Sequence, residues 1–166
     1  YASSMPRLKY LHVSTNGMCN EKLFSVLKDC KNDQIHYQVQ SSIDGTEAIH
    51  NEIRGHKNAY KELIELIDKF KDFNSKSDFS MNMNLVMTVS RINQNVVQET
   101  MELAWFYDVP VTLNFVRSSS DSKLEKGESS DFIPQGDDGG LSLEEIKCIA
   151  AEWSKFAAKH YDYFVY

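Results

Sequence analysis

The sequence predicts an α/β fold built on a partial parallel (β/α) barrel, and three observations carry that prediction. Four segments alternate apolar and polar residues with the period of a strand. Segments with helical spacing separate them, which calls for parallel strands joined by right-handed crossovers. Each strand also keeps one polar face, whereas a sheet covered by helices on both sides reads as nearly continuous apolar runs. The apolar face is therefore expected under the helices and the polar face against a wet cavity, with the site at the carboxyl ends of the strands.

The first strand is Lys9–Ser14, with Leu11 and Val13 on one face. Asn20 is positioned to cap a helix over Glu21–Lys31, where Leu23, Leu27 and Cys30 share a side. Ile35–Asp44 is the cleanest strand: Ile35, Tyr37, Val39 and Ile43 are apolar, while His36, Gln38, Gln40, Ser42 and Asp44 are polar. Thr46 opens a long stretch, polar then apolar, in which Tyr60, Leu63, Ile64, Ile67 and Phe70 follow helical spacing. Asn82–Ser90 repeats the alternation with Met83, Leu85, Met87 and Val89, Val86 being the exception on its polar side. Asn95 and Gln98 resemble a capping box ahead of Val97, Met101, Ala104 and Phe106 or Tyr107. Val111–Arg117 is the fourth strand. Ser142 and Glu145 form an S-x-x-E box opening a last helix with Leu143, Ile146, Ala150, Trp153, Ala157 and His160 on one side.

With 166 residues, the chain has the length of one ordinary domain. It divides into the βα units of residues 8–117, an irregular loop at 118–141 rich in Ser, Asp and Gly, and a helix and aromatic tail at 142–166. Four βα units are half of an eight-unit barrel, so the span is expected to be a single partial domain whose partner is the remainder of its own parent chain. A net charge of −6 withholds the electrostatic attraction that dominates nucleic-acid binding, so no nucleic acid is expected as a partner. No apolar run has the roughly 20 residues of a membrane span. The three cysteines, Cys19, Cys30 and Cys148, are too scattered for a disulfide framework or for cluster ligation, and they read as small buried hydrophobes in a cytoplasmic protein.

The strand ends are more specific. The first ends in S-T-N-G (Ser14 to Gly17), and the second in S-S-I-D-G (Ser41 to Gly45), followed by T-E-A-I-H-N-E-I-R-G with His50, Arg54 and Gly55. A feature similar to V-x-x-N lies near Val89–Asn93, with three residues between the Val and the Asn. In this order and spacing the motifs resemble the core of the radical S-adenosylmethionine enzymes, over about two-thirds of the chain from Leu8 to Arg117. The resemblance implies strands three to six of that core, with S-adenosylmethionine and a 4Fe–4S cluster as cofactors and a small molecule or peptide as substrate. The family's C-x-x-x-C-x-x-C loop and its G-G-E-like motif are absent, so the cluster ligands are expected upstream of Tyr1. The span alone is expected to be inactive and to hold neither catalytic nor metal-ligating residues.

By the resemblance, Ser42 hydrogen-bonds the ribose or carboxylate of S-adenosylmethionine. Asp44 is read either beside it in the site or as a turn former with Gly45. Thr15 and Asn16 line the cavity or serve an Asn-Gly turn. Arg54 meets the methionine carboxylate as a bidentate fork, or pairs with Glu47 or Glu52. His50 reads as a packing residue. Thr88, Ser90 and Asn114 are further cavity candidates. Two rivals stand beside this reading. One is another half-barrel enzyme, aldolase-like, which lacks a Schiff-base Lys at a strand end. The other is a non-catalytic or degenerate binding module of the same fold.

Overall fold

The structure, a computed structural model, describes residues 7–30, 32–76, 81–116 and 139–160. Four parallel strands form one sheet in the order β1-β2-β3-β4: β1 Tyr10–Thr15, β2 His36–Ser42, β3 Asn82–Val89 and β4 Val111–Phe115. Among the described residues five α-helices accompany them: α1 Asn20–Asp29, α2 Glu47–Arg54, α3 Ala59–Lys76, α4 Val97–Phe106 and α5 Leu143–Lys159. Right-handed crossovers between strands laid down in sequential order put every connecting segment on the same face. Burial follows that rule. Along β2 and β3 the odd residues from Tyr37 to Val89 are buried, and the even ones are open or half-open.

The core lies between that buried face and the helices. Val39, Ile43, Leu85, Met87 and Val89 of the sheet meet Leu63, Leu66 and Ile67 of α3, all at most 1% exposed. The opposite face is a polar ladder. Tyr10 stacks on His36, and Gln38 Nε2 donates to Asn84 Oδ1 at 2.9 Å. Register places Ser42 beside Val86, Val86 beside Thr112, and Thr88 beside Asn114.

Several local expectations change. Asn20 is not the cap of α1 but its first helical residue, buried, with Nδ2 donating to the Glu62 carbonyl at 3.1 Å. A cross-chain acceptor outcompetes the local cap. The stretch from Thr46 is two helices, because Gly55 takes the left-handed conformation at φ +63° and ends α2. The Asn51 side chain then accepts from Tyr60 N–H at 2.8 Å and caps the next helix. The Asn95–Gln98 box does not form. A 3-10 turn over Gln94–Val96 precedes α4, and Gln98 instead donates to Glu102. Leu66, not Tyr60, completes the buried stripe of α3, and Phe106 and Leu143 face solvent. The Ser142–Glu145 capping box is present in full. The 118–138 loop and the 161–166 tail lie outside the described residues.

Ser42 and Ile43 are sequence neighbours on opposite faces, which makes a direct test of the alternation. Ile43→Ala should destabilise the fold by about 2–5 kcal/mol in urea titrations, because it opens a cavity in a close-packed core. Ser42→Ala should stay within about 0.5 kcal/mol of the parent. Equal losses for the two would contradict the one-sided sheet.

Candidate functional site

The carboxyl ends of all four strands lie on one rim, and the sequence-derived site residues lie along it. Ser42 is half-buried at the end of β2, on the open face. Thr88 and Asn114 are exposed on that face and sit opposite each other across β3 and β4. These three share a surface. Thr15 does not join them: its register partner is Ser41, on the buried face. Its Oγ1 accepts from Gly17 N–H at 3.1 Å, and its carbonyl accepts from Ser41 Oγ at 3.0 Å. Asn16 is exposed and makes a turn, its Oδ1 accepting from Met18 N–H at 3.1 Å. Ser90 follows β3, half-buried and turned toward Asn93.

Asp44 is buried in a knot of local partners. Arg54 Nε donates to its Oδ2 at 2.6 Å, replacing the expected pairing of Arg54 with Glu47 or Glu52. The Asp44 N–H donates to His50 Nδ1 at 3.1 Å, and the same nitrogen lies 3.4 Å from Oδ2. Burial pushes the Asp44 carboxyl upward, but the His50 ring and the Arg54 guanidinium outweigh it, so the group titrates below the ordinary carboxylate value. Arg54 is the firmer partner, since a nitrogen that accepts the backbone N–H cannot also donate to the carboxylate. His50 is 2% exposed and meets the Tyr60 ring edge-on, in the packing role expected of it.

The turn after Asp44 demands glycine. Gly45 has φ +140°, and a Cβ there would come within 2.8 Å of a Val96 methyl. The H-N-E-I-R-G run thus divides its labour. His50 packs under the turn, Asn51 caps α3, Arg54 returns to Asp44, and Gly55 stops the helix.

Asn93 is the residue whose role the sequence left undefined beyond the V-x-x-N resemblance. It is 1% exposed, and its carboxamide uses both ends. Nδ2 donates to the Asp44 carbonyl at 3.0 Å and to the Thr88 carbonyl at 3.1 Å, while Oδ1 accepts from Ser90 N–H at 2.8 Å. The bond from its Oδ1 back to Ser90 N–H is a local side-chain-to-backbone contact of the kind Asn favours next to a strand end. Only the fold shows that its amide reaches across to β2.

A hollow of about 660 Å³ opens at the other end of the sheet, between Gln38, Asn82, Asn84, Thr112 and the apolar Phe70 and Met83. Parallel barrels place chemistry at the carboxyl rim, and none of the sequence-derived site residues lines this hollow. Among the described residues no three His, Cys, Asp or Glu side chains come together to hold a metal, and Cys19, Cys30 and Cys148 are free thiols, two of them exposed rather than buried. Among the described residues these three thiols do not come together as ligands for an iron–sulfur cluster. Among them, too, no helix is long and apolar enough to cross a membrane. No protein-family model and no curated protein matches the sequence.

Asp44 makes the rim sensitive to acid. A carboxylate whose folded pKa is depressed contributes stability that is complete above its unfolded value of about 3.9 and is lost as pH falls through the lower folded value. Asp44→Asn should therefore cost about 1–3 kcal/mol at neutral pH, allowing for the one-third exposure of Arg54. It should also flatten the loss of stability below pH 4. Urea midpoints across the acid range check both, and a variant as acid-sensitive as its parent would show that Arg54 does not hold this carboxylate.

Proposed function

We propose that the chain is the carboxyl-terminal part of a radical S-adenosylmethionine core, forming the S-adenosylmethionine- and substrate-facing wall of a half-barrel. The observation that carries this reading is the polar face of the sheet, open among the described residues, with Ser42, Thr88 and Asn114 near the carboxyl ends of adjacent strands. Sequential strand order supports a barrel segment over a doubly wound sheet, whose order reverses at a switch point.

The residues take graded roles in this reading. Ser42 has a hydroxyl that donates to or accepts from a ribose or carboxylate, and Thr88 and Asn114 offer donors and acceptors one and two strands further across. Asp44 acts through the backbone, since its carboxylate is engaged by Arg54. Arg54 in turn meets a methionine carboxylate only through its Nη atoms, its Nε being committed. Thr15, Asn16 and Ser90 support turns at the rim, each through hydrogen bonds to its own neighbours. Cluster ligation and the radical chemistry that follows belong to a segment outside this chain, and the substrate is a small molecule or peptide.

The mutual engagement of Asp44 and Arg54 favours one second reading, a binding module that keeps the fold without the cluster. The reading frame upstream of Tyr1 separates the two. A C-x-x-x-C-x-x-C run following an apolar strand is expected there, and a frame without it would overturn the enzyme reading in favour of the binding module.

A further inference from the structure

We infer that Asn93 is a positioning residue that holds the ends of β2 and β3 at the spacing a bound nucleoside requires. The inference rests on the proposed S-adenosylmethionine site, and it assigns the rim's geometry to one buried side chain that touches no ligand.

Asn93 belongs to no strand, yet it bonds both to Thr88 within β3 and to Asp44, two residues past the end of β2. Its two N–H donors satisfy the carbonyl of Asp44, just past β2, and that of Thr88, within β3. Its oxygen holds Ser90 N–H and, at 3.3 Å, Ser90 Oγ. Beside it the Gly45 turn lies against Val96, so the β2 end has no room to slide toward the 3-10 turn. The turn itself is braced from the far side, where Arg91 N–H donates to the Gly139 carbonyl at 3.0 Å. Ser42 and Thr88, two of the side chains that present hydroxyls to the open face, are thus spaced by a clamp that holds Thr88 by its own carbonyl and the chain two residues past Ser42. No other side chain of the twenty places two donors and an acceptor at this reach, except Gln, whose extra methylene displaces all three.

Asn93→Asp isolates the clamp, because it keeps the shape and the acceptor for Ser90 N–H but sets an oxygen against two carbonyls. Phe70→Leu is the control: it lowers core stability at the amino-terminal end of the sheet, away from the rim. S-adenosylhomocysteine is titrated calorimetrically into the protein translated from its full reading frame, in parent, Asn93→Asp and Phe70→Leu forms, well below each melting temperature. Asn93→Asp should weaken binding about ten- to a hundredfold. Phe70→Leu should bind as the parent does, even where its melting temperature falls as far. A parent that binds alongside an Asn93→Asp form with unchanged affinity and a lowered melting temperature would reduce Asn93 to a stabilising role and overturn this inference alone. A parent that does not bind would overturn the proposed site, and the inference with it.

Discussion

A parallel sheet covered on one side has to carry opposite chemistry on successive residues, and the rest of this molecule follows from that constraint. Each crossover returns to the same face, so half of every strand is committed to a core shared with α3 and α4, while the other half is the more open one among the described residues. Apolar side chains on the open half would leave a large exposed patch. The sequence instead supplies His12, Gln38, Gln40, Asn82, Asn84, Thr88, Thr112 and Asn114 there. The same alternation that closes the core therefore builds a polar wall of amides and hydroxyls.

At the carboxyl rim the strands cannot simply stop, because the backbone there still has groups to satisfy. The knot around Asp44 does this locally, with Arg54 and His50 supplied by the helix that follows, and Asn93 does it between strands. Most residues of the conspicuous S-S-I-D-G and H-N-E-I-R-G runs are consumed in making that turn. This is the physical reason why a motif at a strand-end rim is so easily mistaken for a ligand-binding set. The residues that hold the loop outnumber those free to touch anything.

Much of the fold was legible from period alone. All four strands fall within two residues of their expected bounds, and the Ser142–Glu145 box opens its helix as its spacing implies. Asn20 and Asn95 were misread as caps because a local capping signal says nothing of longer-range competitors. For Asn20 the winner is the carbonyl of Glu62, 42 residues away. Of the two readings of Thr15, strand parity favours the turn: the residue lies on the helix side with Ser41, and its Oγ1 accepts from Gly17 N–H. In the site, Ser42, Thr88 and Asn114 were readable because their exposure follows from alternation. The Arg54–Asp44 pair and the reach of Asn93 were not, since both depend on how the ends of two strands are brought together.

The claim on which all of this turns is that the polar face is a functional wall rather than a surface awaiting a second layer of helices. A crystal structure of the protein translated from its full reading frame, grown with S-adenosylhomocysteine, measures it directly. The nucleoside is expected across the carboxyl ends of β2, β3 and β4, within hydrogen-bond reach of Ser42 and against the Thr88–Asn114 pair. Helices packed over Gln40, Asn84 and Thr88, or a nucleoside bound away from that rim, would contradict it.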